Sequence, residues 1–496
     1  MKKLIVIGAG ISGLAMAVYA ARSGYDVTVL EQHIVPGGLS TSWKRKGYYF
    51  EGGMHWLTGS SPKLPLNRVW REVGALKENN PVYNRPVLYT IIGAGKDGAN
   101  LELYRDLDKL EAHLTETSPS DKRAIHRFCS DVRKFQKVHL PINDLRGLKS
   151  TRPCKTRLLE LMAMGPAGLR YSYLRKTSYE DYVNLIKNPS IRHLLSSVNS
   201  SEYNALSFVY TLGQFTSGDC GFPEGGSIRM AQNMADTLLS YGGKIEYRTK
   251  VQKIVVEDAK VKGVMVDGNL VEADRVAIGF DTLAAVDTLF DKSLDEPWVS
   301  QMKGNVSLLQ CMFFGIGLRT QIEGFTDTPV IPLEKEFEAA GLKFPRIRLN
   351  YYSGEEYAPA GCSTITCLLI GDSYDFWKGK KLDGTYQEEK KRLTERFVAL
   401  LEEKVPQLRG KVEVTDLATP CTYERYTSSY RGSWMSIWKA GKKSFTFPSK
   451  SESIGGLYFA NERVRMPGGL PICGWSGRNA AQWLCRDDDV VFNCGD

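Results

Sequence analysis

A glycine-rich turn near the amino terminus carries the clearest chemical signal in the chain. Residues 8–13 read GAGISG and directly follow a short apolar, β-branched run over residues 3–7, which predicts a buried parallel strand. Gly8 permits a tight turn, Gly10 lets the backbone approach a pyrophosphate, and Gly13 lets a helix pack closely against the strand. The turn therefore predicts a dinucleotide-binding site.

The elements after this turn complete the pattern. An alanine-rich helix is predicted over residues 14–23, with the positive end of its dipole directed at the pyrophosphate. A second strand is predicted over residues 25–30, and Glu31 at its end can accept hydrogen bonds from ribose hydroxyls. The residues predicted to contact the dinucleotide here are Gly8, Gly10, Ile11, Ser12, Gly13, Glu31 and Gln32.

A second match to the same glycine spacing shows that the spacing alone is a weak signal. Residues 93–98 read GAGKDG, but the segment that follows, residues 100–104, alternates apolar and polar side chains as a strand does. This copy lacks the helix that a phosphate site needs, and it predicts a hairpin loop instead.

Two further segments offer exposed backbone to a ligand. Residues 36–43 contain a Gly-Gly turn whose free amides suit a phosphate, although an ordinary loop has the same composition. Residues 48–56 end in small residues flanked by aromatic side chains, which allows backbone to lie against a flat ring, although a strand ending in a glycine turn fits as well. The candidate ligand contacts are Gly37, Gly38, Leu39, Ser40, Gly53, Met54 and His55.

With these segments the sequence resembles the FAD-dependent family that holds bacterial-type phytoene desaturases, carotenoid isomerases and retinol saturases. Four blocks carry the resemblance: residues 4–31, 36–58, 222–280 and 455–482. The histidine of residues 53–56 (GMHW) is most similar to the saturase and isomerase branch. The resemblance implies FAD as the cofactor. It also implies an α/β fold with a Rossmann-like, glutathione-reductase-type FAD-binding domain and a discontinuous α+β substrate domain.

The third block predicts a helix up to Tyr241, a strand over residues 244–254, a hairpin and a further strand ending near Gly279. The resemblance implies that the backbone of Val251 touches the adenine of FAD. Without the resemblance, Val251 would be interpreted only as a buried strand residue.

The fourth block predicts a strand within residues 454–462 and a helix over residues 473–484. The resemblance implies that the end of this strand contacts the ribityl–phosphate region of FAD. It also implies that the helix directs its amino terminus at the flavin, where the positive end of the helix dipole stabilises the negative charge of the reduced ring. The family usually has Gly-Asp where this chain has Asn461-Glu462. The implied contacts are Glu462, Gly469 and Leu470.

The blocks indicate a discontinuous domain organisation. The FAD-binding domain is expected to comprise residues 1–75, 222–290 and 440–496, and the substrate domain residues 76–221 and 291–439. The substrate domain is expected to hold a mixed sheet with helices. Its predicted strands include residues 308–318 and 363–370, and its predicted helices include a charged, solvated one over residues 387–408.

Residues 145–176 combine basic and apolar side chains and have one acid, Glu160. Such a segment suits a lid that contacts an anionic membrane interface, and equally a lid with a solvated basic face. The basic residues are Arg146, Lys149, Arg152, Lys155, Arg157, Arg170, Arg175 and Lys176.

Composition limits the other function classes. The chain of 496 residues is 42% hydrophobic with a net charge of +9, and it contains no nucleic-acid-binding module and no cysteine–histidine cluster with metal-ligand spacing, so no metal and no nucleic acid are expected. The ten cysteines are expected to be reduced in a cytoplasmic setting. The amino terminus is interpreted as a strand and turn rather than a signal peptide, and no apolar run reaches the length of a membrane span.

The chemistry expected is that of a flavin. His55 is the candidate catalytic residue, as a proton donor or a hydrogen-bond partner, with support of the flavin surroundings as its alternative role. Glu51 is expected to be a structural acid. The resemblance implies a hydrophobic polyene or isoprenoid substrate that is desaturated, saturated or isomerised, with an electron partner that the residues do not specify.

Two other functions remain open from the sequence. One is an amine oxidase-like flavoenzyme, because its flavin domain is related. The other is a non-catalytic lipid-binding or escort protein on the same fold, against which the intact glycines at positions 8, 10 and 13 argue.

Overall fold

A computed structural model describes residues 1–156, 158–439, 441–442 and 445–495. Arg157, counted above among the basic residues, lies outside the described residues. The same holds for Ala440, Lys443, Ser444 and Asp496 of the carboxy-terminal segment.

Five parallel strands form the sheet that carries the glycine-rich turn. Their runs are short, and the central ones are mostly apolar and buried, as expected for a sheet covered on both faces, whereas the edge strand over residues 244–247 is partly exposed. The strand that precedes the turn is central, and the carboxy-terminal strand forms one edge. In sheet order the strands are Leu457–Phe459, Arg275–Ile278, Lys3–Ile7, Asp26–Glu31 and Lys244–Tyr247.

Helices bury one face of this sheet in an apolar core that includes Met16, Met230 and Leu484. The first helix begins at Ile11, directly after Gly10, and packs against the last helix of the chain. The helices associated with this core are Ile11–Arg22, Pro65–Glu72, Gly226–Ser240 and Leu470–Asp487.

A small antiparallel sheet and two helices cover the other face. The predicted strand over residues 244–254 is in fact two strands in different sheets, because Arg248 turns the chain with a φ of 60°. The strands of the small sheet are Val251–Glu257, Lys260–Val266 and Asn269–Glu272, and the helices are Thr282–Thr288 and Pro297–Asn305.

The second large sheet is entirely antiparallel, so the expectation of a mixed sheet was wrong. Only the neighbours Val330–Ala339 with Leu342–Ser353 and Leu342–Ser353 with Ser363–Ile370 are consecutive in the chain, and their short connections return the chain in the opposite direction. The sheet order is Val330–Ala339, Leu342–Ser353, Ser363–Ile370, Cys311–Leu318 and Val412–Ala418. The helices Tyr374–Leu382, Tyr386–Lys404 and Pro420–Thr427 accompany it.

Two predicted elements of this region differ in the structure. The run over residues 308–318 divides at Gln310, whose buried side chain accepts hydrogen bonds from the amides of Ser373 and Tyr374. Its first part, Val306–Leu309, pairs instead with Met435–Trp438. The charged helix predicted over residues 387–408 ends at Lys404, and it buries an apolar stripe (Leu393, Phe397 and Leu401) against the sheet core.

A helical layer built from residues 107–216 completes the molecule around its own apolar core. Its helices are Leu107–Thr117, Lys122–Phe135, Leu158–Lys176, Tyr179–Val183, Pro189–Leu195 and Ala205–Thr216.

Three short antiparallel pairs link the layers. One of them, Val87–Ile91 with Leu101–Tyr104, encloses residues 93–98, which confirms that the second glycine match is a hairpin loop. The other pairs are Ser42–Arg45 with Tyr48–Glu51 and Val82–Tyr83 with Phe222–Pro223. Within the described ranges, none of the helices combines the length and apolarity needed to traverse a bilayer.

Candidate functional site

A cavity of about 2700 Å³ lies between the parallel sheet, the large antiparallel sheet and the helical layer. Ligand pockets usually measure about 300–1,000 Å³, so this cavity has room for a dinucleotide and a second molecule. Every predicted contact except Gly13 lines it: Gly8, Gly10, Ile11, Ser12, Glu31, Gln32, Gly37, Gly38, Leu39, Ser40, Gly53, Met54, His55, Val251, Glu462, Gly469 and Leu470.

The glycine-rich turn opens directly onto this cavity. Gly8 has a φ of +99°, and its amide donates to the Leu30 carbonyl at 2.8 Å, which holds the turn against the neighbouring strand. A Cβ on Gly10 would meet only the Gly279 carbonyl oxygen, at 3.5 Å, so the side facing the ligand is open. The helix that starts at Ile11 has no side-chain cap, which leaves its first amides available to an anion.

Gly13 has a different role from Gly10. A Cβ at position 13 would lie 2.2 Å from the Gly8 carbonyl oxygen and 3.3 Å from the Gly279 Cα. Gly13 is therefore required for helix–strand packing and does not line the cavity.

Glu31 ends the second strand with its carboxylate against the turn. Its Oε2 accepts from the Ala9 amide and its Oε1 from the His33 amide, both at 2.7 Å. Burial raises the pKa of Glu31, while these amides partly offset the rise. Each carboxylate oxygen can accept a further hydrogen bond, so the predicted contact with a ribose hydroxyl remains available.

The Gly-Gly turn is tied to the first turn by the Gly37 amide, which donates to the Ala9 carbonyl at 2.8 Å. Gly37 and Gly38 have φ values of 115° and 61°, a backbone conformation that side chains with a Cβ rarely adopt. The buried Ser40 hydroxyl has no hydrogen-bond partner among the described residues, so it is free to bind a ligand atom.

Glu51 fixes the segment that ends at His55. Its buried carboxylate accepts from the amides of Gly53, Met54 and Ser227, each at 3.0 Å, and from the Ser227 hydroxyl. Burial raises its pKa, and these donors counteract the rise. Glu51 thus joins the strand Tyr48–Glu51 to the start of the helix Gly226–Ser240, which is the structural role expected of it.

His55 lies at the junction of the cavity with the antiparallel sheet. Its Nε2 is 3.4 Å from an Arg348 nitrogen, its Nδ1 is 3.5 Å from the Asn350 amide nitrogen, and its ring centroid is 6.1 Å from that of Trp434. Burial and the nearby guanidinium groups of Arg348 and Arg85 hold the pKa of His55 well below its usual value. His55 is therefore neutral at neutral pH and suits a hydrogen-bonding role rather than that of a charged proton donor.

A second helix amino terminus reaches the same cavity from the opposite end of the chain. The helix Leu470–Asp487 begins three residues before its predicted start, and Gly469 precedes it without a side-chain cap. Next to it, buried Glu462 accepts from the Ser436 hydroxyl at 2.7 and 2.9 Å and lies 3.2 Å from Arg463 Nε. Burial raises the pKa of Glu462, and Arg463 opposes this rise.

Several lining residues gave no signal in the sequence. Arg192, Arg346, Arg348 and Trp434 belong to no local motif. Alternation along the strand Leu342–Ser353 groups Arg346 and Arg348 on one face with Asn350, which contacts His55. Only that alternation could have linked them before the fold was known.

A comparison with family models places residues 11–485 in one family, described as flavin containing amine oxidoreductase. The chain belongs to this family. Prolycopene isomerase from Daucus carota is 24% identical over 97% of this chain and 80% of its own length. The lycopene-forming phytoene desaturase of Pseudescherichia vulneris is 24% identical over 98% and 100%.

Solved structures agree on the fold. Cyclohexylamine oxidase from Brevibacterium oxydans superimposes with a TM-score of 0.61 over 98% of this chain and 99% of its own, at 15% identity. The protein is thus an FAD-dependent oxidoreductase with an α/β, Rossmann-like FAD-binding domain.

The residues present fit that cofactor. Two uncapped helix amino termini, an open face at Gly10 and a free Ser40 hydroxyl meet in one cavity, and phosphate and reduced flavin are both anionic groups that such donors stabilise.

Proposed function

We propose that this enzyme forms, reduces or isomerises carbon–carbon double bonds of a lipophilic substrate, by desaturation, saturation or redox-assisted isomerisation. The observation that carries the proposal is the single large cavity, which runs from the two helix amino termini past His55 to the antiparallel sheet. Two relatives, a prolycopene isomerase and a phytoene desaturase, are named for such polyene substrates, and they match nearly the whole chain.

The predicted site residues have distinct roles in this proposal. Bound FAD would accept or donate a hydride. Gly10, Ile11 and Ser12 would bind the pyrophosphate, and Glu31 the ribose. The helix start at Gly469 and Leu470 would stabilise negative charge on the reduced ring.

His55 would act as a neutral hydrogen-bond partner beside the ring. Its contacts with Arg348 and Asn350 fix its orientation. A charged histidine is disfavoured there because the surrounding guanidinium groups repel a proton.

The amine oxidase alternative fits the family and the fold, but it fits this cavity less well. Arg192, Arg346 and Arg348 line the side of the cavity next to His55, and a protonated amine would be repelled by them. A lipid-escort protein without activity is disfavoured by the intact cofactor cradle at residues 8–13.

We also propose a cytoplasmic location with peripheral membrane contact through residues 145–176. The helix Leu158–Lys176 exposes Leu158, Leu159, Met162 and Leu169 by 66–87%, beside basic residues that suit anionic lipids. All ten cysteines are unpaired, as in a reducing compartment.

Anaerobic incubation of the flavin-loaded enzyme with extracted polyene lipids tests the proposal. With oxidised flavin we expect the band near 450 nm to bleach as a lipid is desaturated, and with reduced flavin we expect it to recover as a lipid is saturated. Isomerisation would change the double-bond geometry of a lipid without a net change of the band. Heat-treated enzyme serves as the control. If amines bleach the band with peroxide release on reoxidation and lipids do not, the amine oxidase alternative replaces this proposal. If neither lipids nor amines change the band and no lipid is altered, an escort role replaces it.

A further inference from the structure

Three arginines without acidic partners lie together on one side of the cavity. Arg346 and Arg348 are on the strand Leu342–Ser353, and Arg192 is on the facing helix Pro189–Leu195. All three line the cavity. In the part of the chain that the structure describes, no carboxylate lies within 4.0 Å of any of these guanidinium groups.

Neutral groups hold two of these arginines in place. Arg346 donates to the Ser196 carbonyl at 2.7 Å. Arg348 donates to the Ser197 carbonyl at 2.9 Å and to the Tyr89 hydroxyl at 3.0 Å. These contacts orient the guanidinium groups without neutralising their charge.

The positive charges of these arginines repel one another. Burial lowers the pKa of Arg346 and Arg348 lowers it further, while Tyr179 and the exposed Glu180, which both line the cavity, only partly oppose this. Burial, Arg346 and Arg192 likewise lower the pKa of His193, whose Nδ1 is buried with no partner among the described residues. Partly buried cations are normally paired, so an arrangement of this kind is retained where a ligand supplies the negative charge.

We propose that this cluster binds the oxyanion head group, a carboxylate or a phosphate, of an otherwise lipophilic substrate. The inference rests on the proposed function and narrows its substrate class from hydrocarbons to acidic lipids. Guanidinium groups bind both oxyanions through paired, charge-assisted hydrogen bonds. Glu202, which also lines the cavity, is engaged by the Ser200 hydroxyl at 3.4 Å and is not bonded to the arginines.

The position of the cluster also orients the substrate. Asn350 contacts His55, and Arg348 and Arg346 follow at successive same-face positions, which are about 7 Å apart along a strand. The head group therefore lies beyond His55 on the side away from Asn350. The apolar tail would extend through the remainder of the cavity.

Ligands that differ only in the head group test this inference. All-trans-retinoic acid, retinyl phosphate, methyl retinoate and retinol are titrated into the flavin-loaded enzyme, and binding is followed by the change in the flavin spectrum. We expect the acid or the phosphate to bind at least about 10-fold more tightly than the ester and the alcohol. The tighter of the two identifies the head group.

Two variants test whether the arginine cluster causes the preference for anionic ligands. Arg346→Met and Arg348→Met should each weaken binding of the anionic ligand by about 10- to 100-fold, the loss expected for charge-assisted hydrogen bonds, and leave the ester within about 3-fold. Arg123→Met is the matched control, because Arg123 is exposed on the helix Lys122–Phe135 and does not line the cavity. Flavin content verifies that each variant is folded.

Equal binding of all four ligands by the wild-type enzyme would overturn the inference while leaving the proposed function intact. So would an equal loss of ester and acid binding in Arg346→Met. A preparation that never retains flavin would count against the proposed function instead.

Discussion

At the scale of single residues, identical side chains in one motif perform different tasks. Gly10 faces open space in the cavity, whereas Gly13 is enclosed by the Gly8 carbonyl and Gly279. The spacing of the glycines predicted that both positions matter. Only the packing around each shows that Gly10 serves ligand binding and Gly13 serves folding.

Valine at position 10 should remove the flavin without unfolding the protein. A Cβ there contacts nothing closer than 3.5 Å, but the larger side chain would occupy the approach to the pyrophosphate. We expect purified Gly10→Val to be colourless, by the ratio of absorbance at 450 nm to that at 280 nm, with a circular dichroism spectrum like that of wild-type apoprotein. Gly13→Val should instead fail to fold, since its Cβ would lie 2.2 Å from the Gly8 oxygen. A yellow, fully loaded Gly10→Val protein would contradict the assignment of this turn.

His55 should not titrate in the physiological range. Burial and two guanidinium groups lower its pKa in the folded protein. As the pH decreases, His55 therefore takes up a proton in the unfolded chain at a higher pH than in the folded protein. The free energy of unfolding should fall below about pH 6.5 for this reason. In spectra of ¹³C-histidine-labelled protein, we expect the resonance that is lost in His55→Gln to stay constant between pH 5.5 and 8. The remaining five histidines provide internal comparison. A midpoint near 6.5 for that resonance would show that His55 is free to carry charge.

At the scale of elements, the site depends on how helices begin. The helices Ile11–Arg22 and Leu470–Asp487 both start after a glycine without a side-chain cap, and both starts line the cavity. The local sequence predicted the first helix, because strand, glycines and an alanine-rich run follow in order, but the helix starts three residues before its predicted start at residue 14. The second helix starts earlier than predicted, at a Leu-Pro pair that suits the first turn of a helix.

The helix Leu158–Lys176 gives a prediction at this scale. Its exposed leucines should insert into an anionic interface, where each buried apolar side chain contributes about 1.5–3 kcal/mol. We expect the double variant Leu159→Glu with Leu169→Glu to lose most of its co-sedimentation with phosphatidylglycerol vesicles and to keep its flavin. Leu382→Glu, at a position that is 83% exposed on another helix, should sediment as the wild type does. If the double variant sediments with vesicles as the wild type does, residues 145–176 form a solvated lid and do not contact the membrane.

At the scale of the whole molecule, the sequence predicted the elements around the glycine-rich turn better than those of the expected substrate domain. Residues 3–31 form a local unit whose periodicity and glycines specify strand, turn, helix and strand without distant contacts. The break between strands at Gln310 depends on backbone amides more than sixty residues away in the sequence. The arginine cluster forms because a helix of residues 76–221 lies against a strand of residues 291–439. Such contacts leave no local pattern. The domain boundaries at residues 75, 222, 290 and 440 stay predictions.

The cavity unites the two ends of the chain, and this gives the last prediction. Residues of both ends line the same space, so a ligand bound there is lost when either end unfolds. The lining residues of the two ends are Gly8, Gly10, Ile11, Ser12, Gly468, Gly469, Leu470, Pro471 and Cys473. FAD at about 100 times its dissociation constant should therefore stabilise the apoprotein by about 2.7 kcal/mol, seen as a higher midpoint of thermal unfolding. ADP, which can occupy only the nucleotide half, should give a smaller rise, and NAD⁺ at the same concentration should give little. Gly10→Val should abolish the rise with FAD. If NAD⁺ stabilised the apoprotein as much as FAD does, the two helix starts would belong to a different dinucleotide, because the contribution of Gly469 and Leu470 is specific to a flavin ring.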